Sequence, residues 1–218
     1  MSARTRSRTP AQVQMATIIT MYIQHIMELQ AGLREESVEV KVAPPTESFP
    51  SFDFFCAEFV PGISVEKYVQ RLVTYMRCSP EAYIFALAYI RHLFICGFPL
   101  HSRSIHRVLL TAVVVAAKTR DDLYCSMSYY SQVGGVSKHD LNMMELRFLV
   151  DLIDFKAEVH PDEYRSVCND ITAVNSIKKN CCSTSDVCDV TASNSPSELD
   201  ETVLNSKPQW MTECQLYW

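Results

Sequence analysis

The sequence predicts an all-α fold, a bundle of five helices in which the third is buried on nearly every side. Apolar residues recur at helical spacing between residues 64 and 164, and serine, proline and glycine residues mark the ends of the apolar segments. No stretch of this region alternates between polar and apolar residues as a half-buried strand would. Helices of about 9–18 residues joined by short turns pack around a shared core in this way.

The first two helices of the bundle have clear beginnings. Ser64 can accept a hydrogen bond from the next turn of backbone, and the residues after it are apolar at helical spacing as far as residue 76. Residues 79–81, Ser-Pro-Glu, combine a capping hydroxyl, a proline at the first helical position and an acid in the first turn. Gly97 is expected to end the second helix.

The third helix is predicted from Ile105 to Lys118, after a start at Ser102 or Ser104, and its all-round apolar character makes it central. A shorter aromatic helix ends at residues 134–135, Gly-Gly, and Ser137 begins a fifth helix. The apolar surface of the fifth helix comes from Leu141, Met144, Leu146, Phe148 and Leu149.

The bundle divides the chain into three predicted regions. Residues 1–62 hold a basic tail, an amphipathic helix over 13–31 that is packed or binds a partner, and a proline-containing connection with the aromatic anchor FDFF at 52–55. Residues 63–165 form the bundle. Residues 166–218 form an extension that is partly helical at its start, rich in cysteine, serine and threonine, and otherwise weakly structured, with Trp210 and Trp218 as docking aromatics.

Composition excludes several classes of partner. A net charge of −5 gives no general attraction to nucleic acid, whose phosphates require a basic face. Polar residues interrupt the apolar stretch over 13–31, so no membrane span is expected. Nine cysteines, scattered through helices and tail, fit a reduced intracellular protein of the nucleus or cytoplasm. Arg4, Arg6 and Arg8 are interpreted as a solvated basic tail rather than a mitochondrial presequence.

No catalytic, cofactor or metal site is predicted. Five glycines in the whole chain leave no phosphate-binding loop, and no cysteine–histidine pair comes with the base, orienting group and oxyanion hole of a nucleophilic enzyme. Two groups of residues could supply metal ligands, but neither has the spacing of a complete tetrahedral site. They are His92, Cys96, His101 and His106 in the bundle, and Cys181, Cys182 and Cys188 in the extension.

Three motifs in residues 104–164 carry a family resemblance. The first runs from His-Arg at 106–107 to Ala-Ala-Lys ending at 118, and the second from Asp-Asp at 121–122 to Val-Gly-Gly ending at 135. The third is Leu-Asn-x-x-Glu-x-x-Phe-Leu at 141–149. In this order and spacing they closely resemble the cyclin box, and specifically the P/U-type cyclins related to the yeast phosphate-pathway cyclin. The resemblance extends back to Ser64.

The resemblance implies a regulatory, activating subunit of a cyclin-dependent protein kinase, of the phosphate-pathway or cell-cycle type, with no active site of its own. Such a subunit stabilises the inward position of the kinase αC helix, received in a groove between bundle helices three, four and five. In the related phosphate-pathway group, the region of Asp121 and Asp122 reaches the kinase activation segment. The predicted kinase-binding residues are Lys118, Glu145, Asp121, Asp122, Tyr124, Leu141 and Phe148.

The sequence departs from the family pattern at two places. Thr119 follows the lysine where cyclins usually have an apolar residue, and Arg91-His92 stands where many have Asp-Arg. Because an arginine and not an aspartate stands at position 91, Arg71 needs another acid, a backbone group or water as partner. Two alternatives stay open: a helical adaptor outside the cyclin family that binds peptides, and a metal-dependent enzyme built on His92, Cys96 and His106.

Overall fold

The computed structural model describes the backbone of residues 8–36 and 49–182, and the side chains of residues 8–32 and 49–176. Within these ranges every regular element is helical, so the predicted all-α fold is confirmed. The chain divides into two compact units, Met1–Ser176 and Ile177–Trp218. The predictions for Arg4, Arg6, Cys188, Trp210, Trp218 and the side chains of Cys181 and Cys182 lie outside the described residues.

Eight α-helices follow one another along the described chain. They are α1 (Pro10–Glu36), α2 (Phe52–Phe55), α3 (Val65–Tyr75), α4 (Pro80–Ile95), α5 (Ile105–Arg120), α6 (Met127–Gly134), α7 (Lys138–Arg147) and α8 (Pro161–Cys182). A single π-helical turn, Phe148–Leu152, continues α7. Helices α3 to α7 are the five predicted from the sequence, and α8 makes the start of the C-terminal extension helical.

The predicted helix starts are confirmed at three serines. The side-chain oxygens of Ser64, Ser79 and Ser137 each accept a hydrogen bond from a backbone N–H three residues further on. Ser104 precedes α5 as predicted but does not cap it, because its hydroxyl donates to the carbonyl oxygen of Pro99 at 2.9 Å. That bond closes the loop before α5 instead of satisfying the first turn of the helix.

Helix α5 lies at the centre of the bundle. Every residue from Ile105 to Ala117 is buried except Arg107, which is half-buried and donates to the carbonyl oxygen of Phe54 at 3.0 Å. Helices α2, α3, α4 and α7 pack against it. Phe55 of α2 is fully buried, which confirms the predicted aromatic anchor.

Helix α1 is part of the same core and not a separate N-terminal element. It packs against α3 and α4, and its buried face consists of Met15, Ala16, Ile18, Ile19, Tyr22, Ile23 and Ile26. The boundary predicted between residues 62 and 63 therefore falls inside the first compact unit, and the one predicted at 165–166 falls inside α8.

The beginning of α1 carries a capping box that the sequence-based prediction did not identify. The hydroxyl of Thr9 accepts from the backbone N–H of Gln12 at 3.3 Å, and the side-chain oxygen of Gln12 accepts from the N–H of Thr9 at 3.1 Å. Near the other end, Gln30 is buried, donates to the carbonyl oxygen of Phe98 at 2.7 Å and accepts from the N–H of Leu100 at 2.6 Å. Both ends of the helix are thus held by specific hydrogen bonds.

None of the helices in the described part of the chain combines the length and the apolar character that crossing a lipid bilayer requires.

Helices α5 and α6 come into close contact at Gly134. A Cβ atom placed on this glycine would overlap the buried side chain of Leu110. The carbonyl oxygen of Gly134 also accepts a hydrogen bond from the hydroxyl of Tyr68 at 3.1 Å. The absent side chain therefore sets the distance between the two helices.

We expect Gly134→Ala to lower the free energy of unfolding by about 1–3 kcal/mol, because the added methyl group overpacks the α5–α6 contact. The measurement is urea denaturation followed by circular dichroism. Gly32→Ala is the matched control: Gly32 is also helical, with open space around it, and should be neutral or stabilised by about 0.5–1 kcal/mol. Equal effects of the two substitutions would contradict the close approach.

Candidate functional site

An ion pair joins the end of α5 to α7 at the surface of the bundle. The Nζ atom of Lys118 lies 2.6 Å from Oε1 and 2.8 Å from Oε2 of Glu145. The side chains are 29% and 16% exposed, respectively. Lys118 is the first residue after the buried stretch of α5, so its aliphatic stem lies along the core while its ammonium group reaches the surface.

The sequence predicted Lys118 and Glu145 as two partner-facing charges, and the structure brings them into direct contact. Each already neutralises the other, so a partner would meet a donor and an acceptor held in a fixed arrangement rather than two free charges. A pair that is fixed before binding loses little side-chain entropy when a partner covers it. The site is therefore preorganised.

The segment after α7 is tied to α4 through Tyr89. The hydroxyl of Tyr89, on α4, donates to the carbonyl oxygen of Ala157 at 2.5 Å. Burial raises the pKa of Tyr89 to about 12, so the hydroxyl keeps its proton and remains a donor.

The backbone just before Ala157 is strained and presents an exposed aromatic ring. Asp154 and Phe155 have φ angles of 50° and 56°, in the left-handed region that non-glycine residues rarely occupy. The N–H of Phe155 donates to the carbonyl oxygen of Leu149 at 2.7 Å, and the ring is 67% exposed. Strain of this kind concentrates at functional sites. No pattern in the sequence pointed to Phe155, because no glycine marks the turn.

Two further apolar side chains flank Glu145. Leu146 is 50% exposed and Val150, about one turn further along, is 42% exposed. With Phe155 they form what we call the apolar patch: Leu146, Val150 and Phe155. Large apolar groups that stay exposed close in the chain to a half-buried ion pair are typical of a surface that a partner covers.

The loop after α5 separates the two predicted acids. Both carboxylate oxygens of Asp121 are engaged by Ser79, one by its N–H at 3.1 Å and the other by its hydroxyl at 2.5 Å. Asp122 is exposed and makes no hydrogen bond or ion pair within the described residues. Tyr124 is 56% exposed. Asp121 thus supports the start of α4, while Asp122 and Tyr124 remain accessible.

Two predicted contact residues are buried in the free chain. Leu141 and Phe148 have no exposed surface, so neither can touch a partner in this conformation. Phe148 packs edge-on against Phe55 and Tyr89, with ring centroids 6.3 and 6.0 Å apart. Because an amphipathic helix turns such residues inward, the two side chains support the site from beneath instead of lining it.

The metal-ligand candidates of the bundle are held in separate places. His92 and Cys96 are exposed neighbours on α4, 3.6 Å apart, whereas His101 lies 3.9 Å from Cys56. His106 is buried and contacts the carbonyl oxygen of Ile63 at 2.9 Å. In residues 8–32 and 49–176, no three histidine, cysteine or acidic side chains come together as a metal site would require. The candidate group of the bundle, His92, Cys96, His101 and His106, is thus not assembled into one cluster.

The change at residues 91–92 leaves two arginines to be paired, and each has its own partner. Arg71 donates to the carbonyl oxygen of Gln132 at 3.0 Å, which is the backbone partner allowed for by the sequence analysis. Arg91 forms an ion pair with Asp170 of α8 at 2.9 Å.

Comparison with known proteins gives consistent matches. The family model described as Cyclin matches residues 11–157, which include α1 as well as the predicted bundle. Cyclin-U1-1 of Arabidopsis thaliana is 36% identical over 149 residues, covering 67% of this chain and 68% of that protein. Cyclin-U4-1 of Arabidopsis thaliana is 37% identical over 108 residues, covering 49% of this chain and 53% of that protein.

A rice relative belongs to the P type. Cyclin-P3-1 of Oryza sativa subsp. japonica is 37% identical over 119 residues, covering 54% of this chain and 50% of that protein. The matched region thus spans about half the length of the last two relatives. The family model covers well over half of this chain, and the relatives are P- and U-type cyclins. The chain belongs to the cyclin family and is similar to its P/U-type members.

Proposed function

We propose that this cyclin is the regulatory subunit of a cyclin-dependent protein kinase, which it binds and activates through the surface around Lys118 and Glu145. The observation that carries the proposal is the preorganised ion pair at the end of α5, flanked by the exposed apolar patch. Family membership removes the alternative of an adaptor outside the cyclin family, and the separation of His106 from the neighbours His92 and Cys96 removes support for a metal-dependent enzyme.

The physical role follows from how kinases are switched on. A protein kinase is active only when its αC helix moves inward and completes the lysine–glutamate ion pair that orders the ATP phosphates. A partner shifts that equilibrium only by binding the inward state more tightly. The apolar patch would cover hydrophobic side chains of αC, while Lys118 and Glu145 would bond to polar groups at the rim of the contact.

Asp122 is proposed to substitute for a phosphate on the kinase activation segment. A phosphorylated activation segment gathers arginine side chains, and a carboxylate can accept the same guanidinium fork in a bidentate manner. Both predicted acids were candidates. The engagement of Asp121 by Ser79 favours Asp122, whose carboxylate is exposed and has no partner within the described residues.

The pathway we propose is cell-cycle control or phosphate and nutrient signalling, in the nucleus or cytoplasm. The support is indirect: the likeness to P/U-type cyclins, and nine cysteines that suit a reducing compartment.

We expect the double exchange Lys118→Glu with Glu145→Lys to weaken kinase binding at least about 30-fold, since losing a desolvated, hydrogen-bonded interface charge typically costs about 2–5 kcal/mol. The exchange keeps an ion pair between α5 and α7, so the fold should be retained. Binding is measured against the cyclin-dependent kinase that co-purifies with the unchanged chain, together with kinase activity and thermal unfolding.

The matched control is the exchange Arg165→Asp with Asp162→Arg, which reverses an exposed ion pair on α8. It should leave kinase binding unchanged. Undiminished binding by the Lys118–Glu145 exchange would place the interface elsewhere, and absence of any co-purifying kinase would contradict the proposed function itself.

The two neighbouring aspartates should behave differently. Asp121→Ala should lower the free energy of unfolding by about 1–3 kcal/mol, because the N–H and hydroxyl of Ser79 lose their acceptor. Asp122→Ala should change the free energy of unfolding by less than about 0.5 kcal/mol, as is usual for an exposed residue.

In a complex whose kinase has alanine at the phosphorylatable activation-segment position, Asp122→Ala should abolish the remaining activity while binding persists. A kinase already inactive with the unchanged cyclin would refute the role of Asp122.

A further inference from the structure

The end of α4 carries a histidine and a cysteine whose side chains are in direct contact. The Nε2 atom of His92 lies 3.6 Å from the Sγ atom of Cys96. The backbone N–H of Cys96 donates to the carbonyl oxygen of His92 at 2.9 Å, so the helical turn continues through both residues and their side chains share one face. Both residues are exposed to solvent. We call His92 and Cys96 the α4 ligand pair.

The separation of the two atoms matches that of two ligands on one zinc ion. Zinc binds a thiolate sulfur at about 2.3 Å and an imidazole nitrogen at about 2.0–2.1 Å, and a tetrahedral angle between these bonds puts the two ligand atoms about 3.5–3.6 Å apart. The observed distance is 3.6 Å. The α4 ligand pair can therefore hold one ion without any change of the backbone.

The surroundings of the α4 ligand pair do not repel a cation. Arg91, the neighbour of His92, is neutralised by Asp170 of α8 at 2.9 Å. Arg103, in the loop after α4, directs its Nε atom to the carbonyl oxygen of Ala57 at 2.8 Å. The pair also lies at the carboxyl end of α4, where the helix dipole places a partial negative charge.

One chain supplies only half of a zinc site. A structural zinc ion takes four ligands, and in residues 8–32 and 49–176 no third histidine, cysteine or acidic side chain joins the pair. A second copy related by a two-fold axis presents the same surface and supplies the same two ligands. Together the two copies give a set of two thiolates and two imidazoles, which is a common zinc environment.

The surface beside the pair is open to a second copy. Ile95, three residues after His92 and therefore on the same side of the helix, is 64% exposed. Gly97 is exposed as well, and a Cβ atom placed on it would have no other atom within 4 Å. Two isoleucines meeting across the axis would remove apolar surface from water beside the ion.

We propose that the α4 ligand pair is one half of a zinc site, and that two copies of the chain share one Zn²⁺ ion. The thiol of each Cys96 loses its proton on binding and each His92 binds as neutral imidazole, so two protons are released per ion. Two thiolates balance the charge of the ion.

The zinc site lies far from the surface assigned to the kinase. Helix α4 begins next to Ser79, which binds Asp121 at the end of α5. His92 lies roughly 20 Å further along the axis of α4. The proposal is therefore independent of the proposed function.

The test uses the reduced full chain, stripped of metal with a chelator. The changes Cys181→Ser, Cys182→Ser and Cys188→Ser are introduced so that zinc bound in the C-terminal extension is not counted. Zinc is titrated in competition with a chromophoric chelator, and sedimentation velocity reports the mass. We expect one ion per two chains, a mass that doubles when zinc is added, and return to the single chain when EDTA removes the ion.

One ion bound per single chain, or a mass that does not respond to zinc, would overturn the proposal. A dimer that persists in EDTA would do so as well, because such a contact does not depend on the metal.

Cobalt(II) in place of zinc reports the ligand geometry. Tetrahedral cobalt with thiolate ligands absorbs visible light strongly, whereas cobalt surrounded by water absorbs weakly. We expect strong absorption that reaches its maximum at one cobalt ion per two chains. Weak absorption throughout the titration would contradict a tetrahedral thiolate site.

Substitutions locate the ion on the chain. His92→Ala and Cys96→Ser should each lower zinc affinity at least about 100-fold and abolish the dimer, because each removes two of four ligands, whereas loss of a group that merely orients a ligand already costs about 10–100-fold. Thermal unfolding of the metal-free variants should be unchanged, since both positions are exposed.

The matched control is Cys168→Ser with His160→Ala, which removes one cysteine and one histidine elsewhere in the chain. It should bind zinc and form the dimer like the starting chain. Equal losses in the control and in the α4 variants would refute a specific site. None of these measurements involves a kinase, so their failure is distinguishable from failure of the proposed function.

Discussion

The architecture depends on the burial of α5. From Ile105 to Ala117, almost no side of α5 is exposed to water. Such a helix is stable only when neighbouring helices cover its faces, and α2, α3, α4 and α7 do so. Where that cover ends, the sequence changes to Lys118, a residue whose stem is apolar and whose head is charged. The edge of the core therefore dictates where the ion pair with Glu145 forms.

Local signals in the sequence were sufficient to predict most of the bundle. Helix ends depend on residues within one helical turn, as at the serine caps Ser64, Ser79 and Ser137 and at the glycines after α4 and α6. A short stretch of sequence is therefore enough to predict them. The central place of α5 followed from its composition alone. The family resemblance carried the choice of Lys118 and Glu145, and the structure adds that the two are in contact.

The remaining features depend on contacts between distant segments, which no local pattern encodes. Asp121 and Asp122 look equivalent in the sequence, but only the fold brings Ser79 to the first of them. Leu141 and Phe148 belong to a matching motif, yet both are buried in the free chain, which the motif alone does not reveal. Phe155 was missed because its exposure follows from a π-helical turn and two left-handed residues without glycine.

The central claim is that the end of α5 and the segment from Glu145 to Phe155 form one surface for a kinase. Hydrogen–deuterium exchange of the full chain, alone and saturated with the co-purifying kinase, tests it most directly. The account predicts slower exchange on binding in residues 118–124 and 145–155, with unchanged exchange in residues 161–176 of α8. Protection confined to other segments, with residues 118–124 and 145–155 exchanging as in the free chain, would contradict it.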